Sequence, residues 1–127
     1  MHKLAHFCFV SAAVYAFLGM ALGITMAASH DHTLTPVHAH LNLLGWVSMA
    51  IFGLFYQAAP HIAGRRIARI HVGFATLSIW LLIPGIALAN LGMTEGLAII
   101  GSFATILSMG LFVAITLMAR KSNVTEK

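Results

Sequence analysis

The sequence predicts an all-α membrane protein of four spanning helices, and three observations carry that prediction. Apolar residues fill 60% of the 127 positions and charged ones 8%, whereas about a quarter of the residues in soluble domains are charged. Mean hydropathy is +0.93, and the apolar residues gather into four runs, each near the ~20 residues that cross a hydrocarbon core. Backbone in a bilayer must satisfy its own N–H and C=O groups, which makes each run a helix. The expectation is a single domain, residues 1–127, with helices at about 4–28, 37–59, 67–90 and 97–119.

The first run is too long for the 7–15-residue core of a secretory signal, so it is read as helix 1. Gly19 and Gly23 have the spacing of a Gly-x-x-x-Gly contact, which permits close backbone approach. The lone Cys8 rules out an intrachain disulfide and a multi-cysteine metal site. A short polar loop, 29–36, ends in Thr35-Pro36, a suitable helix start because proline is tolerated in the first turn. Helix 2 follows. Residues 60–66 form the second turn, and helix 3 contains Pro84-Gly85, where a kink is expected. Residues 91–96 form the third turn, and a polar tail, expected to fray, follows helix 4 at residue 120.

Lys3, Arg65, Arg66, Arg69, Arg120, Lys121 and Lys127 all flank one set of helix ends, while the other two loops carry only Asp31 and Glu95. By the positive-inside rule both termini face the cytoplasm, and four helices satisfy that parity. The expected location is the inner (plasma) membrane, multi-pass, with the lipid bilayer as surroundings. The sequence pI near 9.9 therefore reports topology, and nucleic acid is not an expected partner. The three arginines near the second turn read as anchors to lipid headgroups.

Orientation also sorts the eight histidines. His30, His32, His38 and His40 fall within eleven positions at the outer end of helices 1 and 2, and His2, His6, His61 and His71 lie at the inner ends. Ionisable groups within a spanning segment are costly and mark function by default. An imidazole can bind a metal through one ring nitrogen while a hydrogen bond fixes the other, and Asn42 or a backbone carbonyl is placed to supply that bond. At about 100° per residue, positions 38 and 40 point about 200° apart. They cannot chelate one ion, so each serves its own face. His30 and His32, with Asp31, are candidates for a small copper or zinc site that one of the pair would complete, or else a simple exposed loop. His71, with His6 or His61, is either a secondary inner site or an interfacial histidine among headgroups. A haem needs one imidazole per helix in an apolar slot, and Trp46, Phe52, Phe55 and Tyr56 are available either to pack on porphyrin or to anchor the helix.

The run Pro36-Val37-His38-Ala39-His40-Leu41-Asn42-Leu43-Leu44, continuing through Trp46 to Phe55-Tyr56, resembles the second helix of the catalytic subunit of haem-copper oxidases, above all the nitric oxide reductase and cbb3-type branches. In that family a histidine near the outer end of the helix, with Asn two residues on, is an axial ligand of low-spin haem b, and His40 with Asn42 matches that position. The His38-Ala39-His40 spacing is similar to a second family element whose two histidines ligate different haems. The resemblance implies haem b as cofactor, held by His38 and His40 with Asn42 and Trp46 beside them. The family's subunit has twelve helices in three arcs of four, so a homotrimer of this chain would imitate it, with haem between helix 2 of adjacent protomers. The chain departs from the family in having no adjacent histidine pair on helix 3 and no membrane-embedded carboxylate. The implied activity is accordingly electron transfer or binding of O2 or NO, to an unidentified redox partner, rather than the reductase reaction. The alternative is a membrane protein that handles copper or zinc through its outer histidines.

Overall fold

The structure, a computed structural model, describes residues 1–125, with side chains described through residue 119. Four helices are long and apolar enough to cross a membrane: α1 (Lys3–Ser29), α2 (Thr35–Ala58), α4 (Arg66–Asn90) and α5, whose apolar window covers Gly96–Ala119 of a helix that runs Gly96–Thr125. A one-turn helix, α3 (Pro60–Ala63), sits inside the second turn. The chain is a multi-pass membrane protein. The expected helix limits agree to within two residues except at the last. There, the residues expected to fray continue α5 to Thr125, and 126 and 127 lie outside the described residues.

Each helix end has a local cause. Nδ1 of His2 accepts the Leu4 amide at 3.2 Å and caps α1. His30 closes the same helix in the left-handed region at φ 57. Pro36 and Pro60 stand in the first turns of α2 and α3, where the missing N–H costs nothing. The end of α4 is a Schellman turn: Gly92 at φ 72 donates to Ala89, and Met93 donates to Leu88. Within the spans, hydroxyls bond to their own helix, as Thr76 does to Val72 and Thr105 to Gly101, both at 2.8 Å. Such bonding leaves few polar groups facing hydrocarbon.

The helices form two antiparallel hairpins, α1 with α2 and α4 with α5, joined mainly where α2 meets α4. The α4–α5 contact is tight enough that a methyl group at Gly85 would run into the Ala98 backbone nitrogen, and one at Gly101 would stand 2.6 Å from Leu82 Cα. Helix α4 runs unbroken from Arg66 to Asn90 with Pro84 inside it. The core lies toward the end that carries Lys3 and Arg66 and is built from Cys8, Met49, Phe52, Tyr56, Val72 and Ile115 with their neighbours. Outside it, Phe17, Ile24, Phe103 and Ile106 are 73, 72, 70 and 70% exposed, as expected of side chains that face lipid.

Helix α2 is not uniform. Its middle, Leu41–Ser48, is a π-helix between two α segments, Thr35–His40 and Met49–Ala58, and Ser48 Oγ adds a bond to the Leu43 carbonyl at 2.9 Å. The wider turn keeps Val37, Leu41, Gly45 and Met49 all buried at a spacing of four. In an unbroken α-helix, position 49 would stand about 120° around from position 37. Such segments concentrate at functional sites, and this one begins directly after His40.

Candidate functional site

The two glycines of α1 decide where the first histidine sits. The sequence expectation was close approach of backbones at Gly19 and Gly23, but what fills the space is two side chains of α2. A methyl group at Gly19 would stand 2.6 Å from Asn42 Nδ2, and one at Gly23 would stand 2.9 Å from His38 Cε1. The half-buried His38 ring lies in this notch with Nδ1 2.8 Å from the Gly19 carbonyl oxygen. A carbonyl only accepts, so Nδ1 carries the proton and donates, and the lone pair is left on Nε2. Of the two partners expected for the ring, it is the backbone carbonyl that bonds it and not Asn42. Its Nδ2 donates to the His38 carbonyl at 2.8 Å and stands 3.4 Å from His38 Nδ1, so it wedges the ring and the backbone carbonyl fixes the tautomer.

His40 is exposed and obeys the same logic on another face. Its Nδ1 is 2.8 Å from the Pro36 carbonyl, one turn back on its own helix, which again places the proton on Nδ1 and the lone pair on Nε2. Below it runs an exposed apolar stripe, Leu43, Trp46, Val47, Ile51 and Leu54. His38 thus faces α1 and His40 faces the outer surface of the chain, as the separation of about 200° requires.

The remaining histidines do not join them. His30 and His32 are exposed in the loop. Asp31 Oδ1 is engaged by the Thr33 amide at 3.0 Å and the Thr33 hydroxyl at 2.6 Å, and these two donors hold the Asp31 carboxyl below its ordinary range. The loop is further tied by Asn90 Nδ2, which donates to the Thr33 carbonyl at 3.0 Å. Among the described residues no three His, Cys, Asp or Glu side chains come together in a metal-sized group.

His71 departs from the interfacial placement that its depth suggested. It is 0% exposed, on the face of α4 shared by Ala68, Val72, Ala75 and Ile79, whereas His6 and His61 are exposed. Its ring stacks on Phe112 at 5.2 Å and meets Phe52 edge-on at 4.5 Å. Nδ1 shares a 2.8 Å hydrogen bond with the Tyr56 hydroxyl, and Nε2 has no partner among the described residues. The signal for this was the three-and-four spacing of small and apolar residues around position 71, which outweighs distance from the helix end. The Tyr56–His71 bond joins positions fifteen apart on different helices, so no local pattern announced it. In comparisons with known proteins, no family model, no curated protein and no solved structure matches this chain.

Proposed function

We propose that this chain is a membrane haem b protein for one-electron transfer or binding of a diatomic gas, with His38 and His40 as the iron ligands. One observation carries the reading: both imidazoles give Nδ1–H to a main-chain carbonyl and keep the Nε2 lone pair, the second-sphere arrangement that metal-ligating histidines use. Bound haem b would supply a one-electron iron couple, or a site for O2 or NO where one axial position stays open.

The protein's own part is positioning. Gly19, Gly23 and Asn42 hold His38 between α1 and α2, and the stripe below His40 offers an apolar wall. Because His40 faces out of the protomer, a second copy completes the slot, which favours a homo-oligomer and, by the family resemblance, a trimer. The positive-inside rule puts the termini in the cytoplasm and the site near the outer face of the inner membrane.

The test is the absorption spectrum of protein purified in mild detergent, together with His38→Ala and His40→Ala variants. The expected result is a Soret band with sharp reduced α and β bands, and haem loss in each variant. Full haem content in both variants overturns the assignment. A colourless preparation with stoichiometric copper or zinc overturns it in favour of metal handling.

A further inference from the structure

Between α1 and α4, at the end of the molecule that carries Lys3 and Arg69, an open groove runs along the surface. Its upper part, about 560 Å³, is walled by Phe7, Val72, Gly73, Leu77 and Trp80. Its lower part, about 690 Å³, is reached by His2 and Lys3, and the two parts share Leu4, Phe7 and Arg69. Each volume is within the range of about 300–1,000 Å³ typical of small-molecule sites.

The groove is apolar along its length and cationic at one end. Thr76, the hydroxyl in its wall, already donates to the Val72 carbonyl at 2.8 Å. The Trp80 indole N–H donates to the Tyr15 hydroxyl at 3.0 Å, which ties α4 to α1 and closes the groove at that end. At the opposite end Arg69 and Lys3 are exposed, and the acidic residues of the described chain, Asp31 and Glu95, lie in the loops at the far side of the membrane span. From Arg69 to Trp80 the helix rises about 16 Å, and one leaflet of a ~30 Å hydrocarbon core is about 15 Å deep. Gly73 opens the wall midway, since a side chain there would meet nothing within 4 Å.

We infer that this groove binds one anionic phospholipid of the leaflet on the basic side, its phosphate between Lys3 and Arg69 and one acyl chain lying over Gly73 up to Trp80. The inference stands on the membrane fold and is independent of the haem reading. The experiment reconstitutes the full chain in phosphatidylcholine vesicles containing a minority of phosphatidylglycerol, extracts it in mild detergent and counts retained lipid by native mass spectrometry. One phosphatidylglycerol per protomer is expected. Arg69→Gln should lower the preference for it over phosphatidylcholine about fivefold, the worth of one basic residue near an anionic surface. Gly73→Leu should remove it, while Gly110→Leu, equally open in space on α5, should not. Retention of the two lipids in the proportion of the vesicles, or retention unchanged in Gly73→Leu, overturns the proposal. So does a change of oligomeric mass in Gly73→Leu without lipid loss, which would make a second copy of this chain the occupant.

Discussion

Replacing Gly23 with alanine tests the site where its geometry is tightest. The added methyl would stand 2.9 Å from His38 Cε1, 3.4 Å from Nδ1 and 3.7 Å from Nε2. Carbon pairs settle at about 3.5–4.0 Å, so Cε1 must retreat by about 0.6 Å or more. Gly19 and Gly23 are on the same helix, so the retreat carries Nδ1 away from the Gly19 carbonyl. A 2.8 Å bond lengthened by that much leaves the working range of about 2.7–3.2 Å. Asn42, itself packed against Gly19, limits any sideways escape. The expected cost in stability is about 1–3 kcal/mol from overpacking. The loss of a second-sphere partner should lower haem affinity about 10–100-fold. Haem titration of Gly23→Ala followed at the Soret band measures affinity, and thermal unfolding of the haem-free protein measures stability. Gly110→Ala, with nothing within 4 Å of its new methyl, is the control. Unchanged haem affinity alongside reduced stability would refute the reasoning, because a displaced ring would then have no bearing on binding.

Other consequences are as direct. Tyr56→Phe leaves His71, which has no Nε2 partner among the described residues, with neither ring nitrogen bonded there, and should destabilise the protein by about 1–3 kcal/mol. Adding His71→Leu to that variant should recover much of the loss in detergent unfolding, and an unaltered Tyr56→Phe midpoint would show the bond to be idle. Gly92→Ala forces a side chain into φ 72 at a cost of about 1 kcal/mol, whereas Gly64→Ala, at φ −72, should carry no such penalty. Thr33→Val removes one of the two donors that keep the Asp31 carboxylate charged. A depressed native pKa gives stability that is present above the ordinary carboxylate range and is lost as pH falls through the lowered value. The variant should therefore shift the Asp31 titration upward in a carboxyl-resolved NMR experiment, and an unmoved midpoint would exclude the hydroxyl as its cause.

The four helices were legible because hydropathy over ~20 residues needs only composition and length. The prominence of His38 and His40, and their opposed faces, followed from the same simple counting. What was not legible depends on neighbours. Gly19 and Gly23 announced close approach, but only the packed structure shows that Asn42 and His38 occupy the space. Distance from a helix end suggested that His71 lay among headgroups, yet it is buried because its face of α4 packs on Tyr56, Phe52 and Phe112. The groove at Gly73 joins residues 3 to 7 with residues 69 to 80, a pairing that depends on how the hairpins lean together.

The π segment of α2 has a consequence for how the chain can change. Val37, Leu41, Gly45 and Met49 share one buried face only because Leu41–Ser48 is wound more widely than an α-helix. Deleting one residue there would let the segment relax to ordinary α geometry at little cost in backbone hydrogen bonds. It would leave the histidine end within about 20° of its present direction relative to the aromatic end, because about eleven steps of roughly 100° fall that close to three full turns. The extra residue of the wide turn therefore sets the register of His38 and His40 against Phe52 and Tyr56: a one-residue deletion between positions 41 and 48 would keep both ends facing as they do, whereas winding the present length as plain α-helix would turn one end by about 120°. A chain with an unbroken α-helix here and the same two faces would align across that stretch with a one-residue gap.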